Sequence, residues 1–232
     1  MSQDKSVPEN DAGPMIAQGT DEEPLATNQR SLAGRIGLAV TVMAIAYTVF
    51  HIYVMNISPL EPWTYRMVHV TGGLFIGFLT YSALTLNPDA PITARSHSPI
   101  EWGLIAFAAA GTLYGAVMVA YAWAGRWFGF APLPDAFVFG SYGLPLLIGT
   151  VASVAAGWLF SDRNRERVHP ADWLLGIAAL AMFGYIIFNV GALRLRAGTG
   201  MAQTADFYAA LVGVILILEL TRRVAGLALV II

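Results

Sequence analysis

Six apolar stretches constrain this chain more than any other feature. They fall at about 36–57, 67–86, 102–125, 136–160, 173–193 and 207–221, and the first five contain no Asp, Glu, Lys or Arg. Each of those five is near the ~20 residues that a helix needs to cross the hydrocarbon core of a bilayer. They do not alternate polar with apolar, so barrel strands are not expected. A helix satisfies its own backbone in lipid. The expected fold is an all-α integral membrane protein, a bundle of about six transmembrane helices, the last running into an interfacial segment. Charged residues make up 12% of the chain, where soluble domains carry roughly 25%. A net charge of -2 leaves no basic surface to track phosphates, so no nucleic-acid partner is expected. There is no cysteine, which removes disulfides, thiolate catalysis and Cys-ligated metals.

Residues 1–30 hold Asp4, Glu9, Asp11, Asp21, Glu22 and Glu23 and no apolar core. They do not read as a signal peptide. They read as a disordered acidic cytoplasmic tail, which leaves 31–232 as the membrane domain. Orientation follows from Lys and Arg. With the N-terminus in the cytoplasm, that side holds Lys5, Arg30, Arg35, Arg95, Arg163, Arg165, Arg167, Arg222 and Arg223, against Arg66, Arg126, Arg194 and Arg196 opposite. Both termini are therefore expected to be cytoplasmic. Trp63, Trp127, Trp173, Tyr53 and Tyr65 fall at span ends, where amphipathic rings anchor at the interface.

Gly73 and Gly77 lie one turn apart on the second span, and Gly111 and Gly115 do so on the third. Small residues at that spacing allow close helix packing. Pro145 lies inside the fourth span and is expected to kink it. Glu61 and Glu101 sit at helix entrances, where the helix dipole favours a carboxylate. His51 and His69 fall near the two ends that the first short loop joins. A b-haem between them, a proton path, or ordinary hydrogen bonding near the interface are all open to two such imidazoles. No phosphate loop, nucleophile–base set or metal-spaced cluster is present, so no enzymatic activity and no cofactor are expected.

Near the end of the chain Glu219 precedes Arg222 by three and Arg223 by four. On a helix the three share one side. If the helix continued to Ile232, each charge would lie at mid-membrane at about 2.5–3.5 kcal/mol. If it stops near Thr221, the arginines meet the headgroups, and the last nine residues, Val224–Ile232, lie along the interface or continue into something else. The second arrangement agrees with the charge count. Those apolar residues are too few to cross a bilayer and call for a cover.

Asp172-Trp173-Leu174-Leu175, Arg196-Ala197-Gly198 and the stretch Leu218 to Leu229, which contains Glu219, Arg222 and Arg223, carry a family resemblance, with "YRMVHV" from Tyr65 to Val70 upstream. Over about 31–86 and 168–232 the chain resembles the small-subunit region of TAXI-type tripartite ATP-independent periplasmic (TRAP) transporter permeases. That region usually has four helices, so 87–167 reads as an inserted pair. The resemblance implies a non-catalytic scaffold component of a secondary transporter in the bacterial inner membrane. Its partners would be a large TRAP permease subunit or domain, a periplasmic TAXI-type binding protein that captures a small organic acid, and membrane lipid. The chain would be either a separate small subunit or the front of a fused permease. Glu219, Arg222 and Arg223 would then mark the junction with the large subunit. The competing reading is a b-haem membrane anchor of an oxidoreductase that uses His51 and His69.

Overall fold

A computed structural model describes residues 28–86, 98–129, 133–161 and 164–226. Among the described residues there are seven helices and no strand: α1 Gly34–Asn56, α2 Pro62–Thr80, α3 Pro99–Phe128, α4 Asp135–Phe160, α5 Pro170–Phe188, α6 Val190–Arg196 and α7 Thr204–Ala225. Five of them, α1, α3, α4, α5 and α7, are long and apolar enough to cross a membrane, as a helical membrane protein requires. The sixth long helix, α2, is shorter and more polar, with Arg66, His69 and three threonines in 19 residues.

Local chemistry explains where the helices begin. Proline opens α2, α3 and α5, the position where its missing N–H is no loss. The Glu61 carboxylate accepts from Thr64 N at 2.9 Å, and the Ser98 hydroxyl accepts from Glu101 N at 3.1 Å. Gln203 and Asp206 form a reciprocal capping box on α7. Gly129 and Gly226, at φ +67° and +82°, end α3 and α7. A side chain is disfavoured in that left-handed region.

Several boundaries differ from the sequence expectation. The span expected to reach residue 86 leaves the helix after Thr80. Tyr81 pairs instead with Gln29 in an isolated antiparallel bridge, flanked by Arg30 N to Thr80 O at 2.8 Å and Ser82 N to Asn28 O at 2.9 Å. Residues 28–30 therefore belong to the folded body, not to a solvated tail that extends to residue 30. The rest of that expected tail, 1–27, lies outside the described residues. The expected span 173–193 breaks at Asn189, between α5 and α6. The last helix passes Thr221 and ends at Ala225. The interfacial segment expected after it falls mostly on 227–232, outside the described residues. Within 87–167, α3 and α4 are the two long helices among the described residues.

Of the five apolar spans, α5 is the most buried and α1 the least. Around α5, Phe78, Tyr142, Leu146, Leu175, Tyr185, Val212 and Leu216 form one core, with the Tyr142 and Tyr185 rings stacked 4.8 Å apart. α3 and α4 approach most closely. A Cβ on Gly111 would lie 2.5 Å from Pro145 O, and one on Gly149 would lie 2.4 Å from Thr112 N. α4 runs through Pro145 as one helix.

Cross-links sort the helix ends into two groups. At one end, here called basal, lie the starts of α1, α3 and α5 and the ends of α2, α4 and α7. Arg30 to Asp172, Glu101 to His169, Ser82 to Ser161 and Arg222 to Ala83 join them. At the distal end, Tyr142 reaches Ala205 O, Tyr185 reaches Asp206 and Arg126 reaches Phe188 O.

Candidate functional site

The basal end encloses a cluster of five charged side chains. Arg30 comes from the strap before α1, Asp172 from the first turn of α5, and Glu219, Arg222 and Arg223 from the end of α7. The side chains of Arg30, Asp172 and Arg223 are 1%, 0% and 0% exposed, so no water screens their attraction. Arg30 donates one Nη to Asp172 Oδ2. Arg223 donates to Asp172 Oδ1 at 2.7 Å and to Glu219 Oε1 at 2.7 Å. Arg222 reaches both Glu219 oxygens, at 2.8 and 2.9 Å. Trp158 Nε1 donates to Glu219 Oε2 at 3.0 Å. The Arg222 and Arg223 guanidiniums also lie over Trp158 and Phe78 at 4.9 and 5.1 Å.

The helix termini help to hold these charges. The last carbonyls of a helix have no partner within it. Arg30 Nη1 takes up those of Phe78 and Leu79 at the end of α2, at 2.9 and 3.0 Å, and Tyr81 O at 3.2 Å. Arg223 also donates to Tyr81 O at 3.0 Å, and Arg222 to Ala83 O at 3.1 Å. Asp172 sits at a positive N-terminal end and Arg222 and Arg223 at a negative C-terminal end, both favourable. Three guanidiniums face two carboxylates, and the surplus shows: Arg30 Nε and Arg223 Nη2 have no hydrogen-bond partner among the described residues. Burial lowers the Arg30 guanidinium from its ordinary value, and the Asp172 carboxylate opposes that.

A second buried pair lies nearby. His169 Nε2 and Glu101 Oε1 are 3.1 Å apart, on side chains 1% and 0% exposed. His169 Nδ1 accepts from Ala171 N at 3.3 Å, so Nε2 carries the hydrogen and donates to Glu101. Glu101 was expected as an entrance cap. Ser98 takes that role, and the Glu101 carboxylate turns inward to tie the start of α3 to the start of α5. Glu61 does cap α2 as expected. The Thr64 N–H holds its carboxyl below the usual carboxylate range.

Each singled-out residue now has a place. Glu219, Arg222 and Arg223 share one side of α7, as their spacing requires. However, Glu219 and Arg223 turn into the bundle, 4% and 3% exposed, and meet Asp172 rather than an open lateral face. Gly77 packs on Leu220, and Gly111 and Gly115 pack on α4, whereas Gly73 meets only Tyr47 Oη, 3.7 Å from its notional Cβ. Trp63, Trp127, Trp173 and Tyr53 are exposed at helix ends. His51 and His69 do come together, with Nε2 of one 2.8 Å from Nδ1 of the other. A haem iron with two axial imidazoles needs their nitrogens on opposite sides, roughly 4 Å apart. The direct contact leaves no room for it, so the haem does not fit.

Sequence reasoning missed Arg30 as a buried residue, the Glu101–His169 pair, and the distal set in which Asp206 accepts from Tyr185 at 2.5 Å and from Arg196 at 2.8 and 2.9 Å. The available signal was Asp172, two residues after Pro170 and immediately before an apolar run. The charges of the basal cluster pair with one another, one guanidinium in excess, and lash α2, α5, α7 and the strap together. No protein-family model, no curated protein and no solved structure matches the chain.

Proposed function

We propose that this chain is the small membrane component of a TRAP-type secondary transporter of the TAXI class, a scaffold in the bacterial inner membrane. In this reading α2 is the sixth span and both termini are cytoplasmic. A periplasmic TAXI-type protein delivers a small organic anion, and a large permease subunit or domain carries the substrate and ion sites. One observation supports this reading above others. Two of the stretches on which the family resemblance rests meet in the basal cluster, where Asp172 pairs with Arg223 and Arg223 with Glu219. A third, at Arg196, pairs with Asp206. Ionisable groups within spans normally mark a transport pathway. Here they are paired with one another inside the bundle, which suits a brace that holds its shape rather than a carrier that must change it. The basal cluster fixes the end of α7 from within, and the apolar lateral faces are left for the large subunit.

Reconstitution tests this. Liposomes that hold the chain alone should take up no organic anion under a sodium or proton gradient. Adding the large permease subunit and the binding protein should give uptake, and the two membrane chains should co-purify. Uptake by the chain alone, or a large subunit that transports equally well without it, would overturn the scaffold reading.

A further inference from the structure

We infer that the cleft between α1 and α7 at His69 is a binding site for a quinol, a molecule that dissolves in the bilayer and carries a phenolic hydroxyl on an apolar body. The site is independent of the transporter reading. Hydrogen-bond chemistry fixes what the cleft offers. His51 Nδ1 is 2.7 Å from the Tyr47 carbonyl oxygen. A carbonyl only accepts, so Nδ1 bears the one hydrogen of a neutral imidazole, and His51 Nε2 presents a lone pair. The Tyr47 hydroxyl donates to the His69 carbonyl at 2.7 Å, which leaves its oxygen free to accept. His69 Nδ1 faces both of these acceptors, at 2.8 and 3.0 Å, so it carries the hydrogen of His69. His69 Nε2 is therefore a bare acceptor, without a partner among the described residues.

Depth makes that lone pair costly to leave empty. His69 lies about 10 Å along α2 from its start at Pro62. Tyr47 lies about 20 Å along α1 from Gly34. Their contact therefore falls within the hydrocarbon layer, about 30 Å thick, where no water is at hand and an unpaired polar atom costs free energy. His69 is exposed, so what meets its Nε2 comes from the bilayer. An acyl chain has no donor to offer. A phospholipid keeps its charged head at the surface. A hydroxyl on an apolar body can reach this level, and a phenolic O–H donates more strongly than an aliphatic one. The oxidised quinone presents carbonyl oxygens and would set lone pair against lone pair.

The cleft has the form for such a molecule. Its volume is about 530 Å³, within the roughly 300–1,000 Å³ of small-molecule sites. Leu74, Ile217, Leu220 and Val224 give it apolar walls, with His69 and Tyr47 at its border. An apolar lining with few polar groups is what fixes the orientation of a small ligand. The wall continues along α7 from Ile217 to Val224, about two turns, which gives an apolar tail a surface beyond the ring. Gly73 keeps the floor open, because a Cβ there would meet only Tyr47 Oη, at 3.7 Å. Thr221 adds a hydroxyl to the α7 side. Entry is from the side: α1 is the least buried of the five apolar spans, so molecules dissolved in the lipid reach the cleft along it.

Binding of decylubiquinol to the full chain in nanodiscs, measured under nitrogen, tests the inference. The chain should bind decylubiquinol about tenfold more tightly than decylubiquinone, the difference of one hydrogen bond made in an apolar site. Nitrogen-15 spectra should show His69 Nε2 as the unprotonated nitrogen, and its resonance should move toward that of a hydrogen-bonded nitrogen as decylubiquinol is added, but not with decylubiquinone. His69→Phe keeps an aromatic ring without the acceptor and should bind the two forms equally. Gly73→Leu fills the cleft and should weaken both by about tenfold or more, with the His51–His69 contact intact in the same spectra. Equal affinity of the natural chain for the two forms, a quinol preference retained in His69→Phe, or binding undiminished in Gly73→Leu would overturn the site. Decanol displacing decylubiquinol at equal concentration would also overturn it, since any aliphatic alcohol would then serve.

Discussion

Asp172 is the residue on which the basal cluster turns. Its two oxygens serve different arginines, Arg30 and Arg223, and all three side chains are buried. Removing one partner of a buried ion pair leaves a charge that neither water nor protein compensates, typically at a loss of about 3–5 kcal/mol. Asp172→Asn strands Arg30 and leaves Arg223 with Glu219 alone, and should fall within that range in denaturant unfolding of the micelle-held protein. Arg30→Gln leaves Asp172 still paired with Arg223 and should be milder. Replacing the triad together, with Arg30→Met, Asp172→Leu and Arg223→Met, should lose less than Asp172→Asn alone, because no unpaired charge remains. If Asp172→Asn proves as mild as a surface change, the cluster is not what holds this end. Only part of the cluster was legible from sequence. The Glu219–Arg222–Arg223 grouping follows from helical spacing. The Asp172 partners lie 51 and 142 residues away, and pairing across such separations leaves no periodic trace. Arg30 was also masked by its place after an acidic segment, which made it read as part of a tail.

At the scale of helices, apolar runs located every long element, and their ends were less legible. Run lengths report where a chain can lie in lipid, not where its backbone stops being helical. Residues 81–86 are apolar enough to continue α2, yet Tyr81 leaves the helix to pair with Gln29, a partner that α2 itself does not reveal. Asn189 breaks the fifth run from within an apolar stretch. Glycine spacing was a better guide to contact, but a one-sided one. It marked Gly111 and Gly115 on α3 and missed Gly149, which faces Gly111 from α4. These contacts are backbone against backbone, so a methyl group has nowhere to go. Gly111→Ala and Gly149→Ala should each destabilise by about 1–3 kcal/mol. Gly73 has open space beyond Tyr47 Oη, so Gly73→Ala should be neutral, or stabilising by up to about 1 kcal/mol through helix propensity. Thermal unfolding of the three variants side by side checks this. Equal effects would mean that the α3–α4 interface is looser than these distances require.

For the whole molecule, orientation is the property that ties structure to the proposed role, and burial changes the argument for it. Nine Lys and Arg were assigned to the cytoplasmic side against four opposite. Arg30, Arg222 and Arg223 are engaged in the basal cluster, and an internally paired arginine interacts less with the membrane surface than a free one. Setting those three aside leaves six against four. On the distal side, Arg194 and Arg196 pair with Glu61 and Asp206. The bias keeps its sign and rests mainly on the loop between α4 and α5, where Arg167 is exposed. The scaffold reading requires that loop in the cytoplasm, because the binding protein must approach from the other face. Single cysteines can be added to this cysteine-free chain without competing thiols. Arg167→Cys should react with a membrane-impermeant maleimide only after the cells are opened. Leu195→Cys, 82% exposed at the distal end, should react in intact cells. The reverse pattern would place the basal cluster on the side of the binding protein, and the proposed division of labour would fail with it.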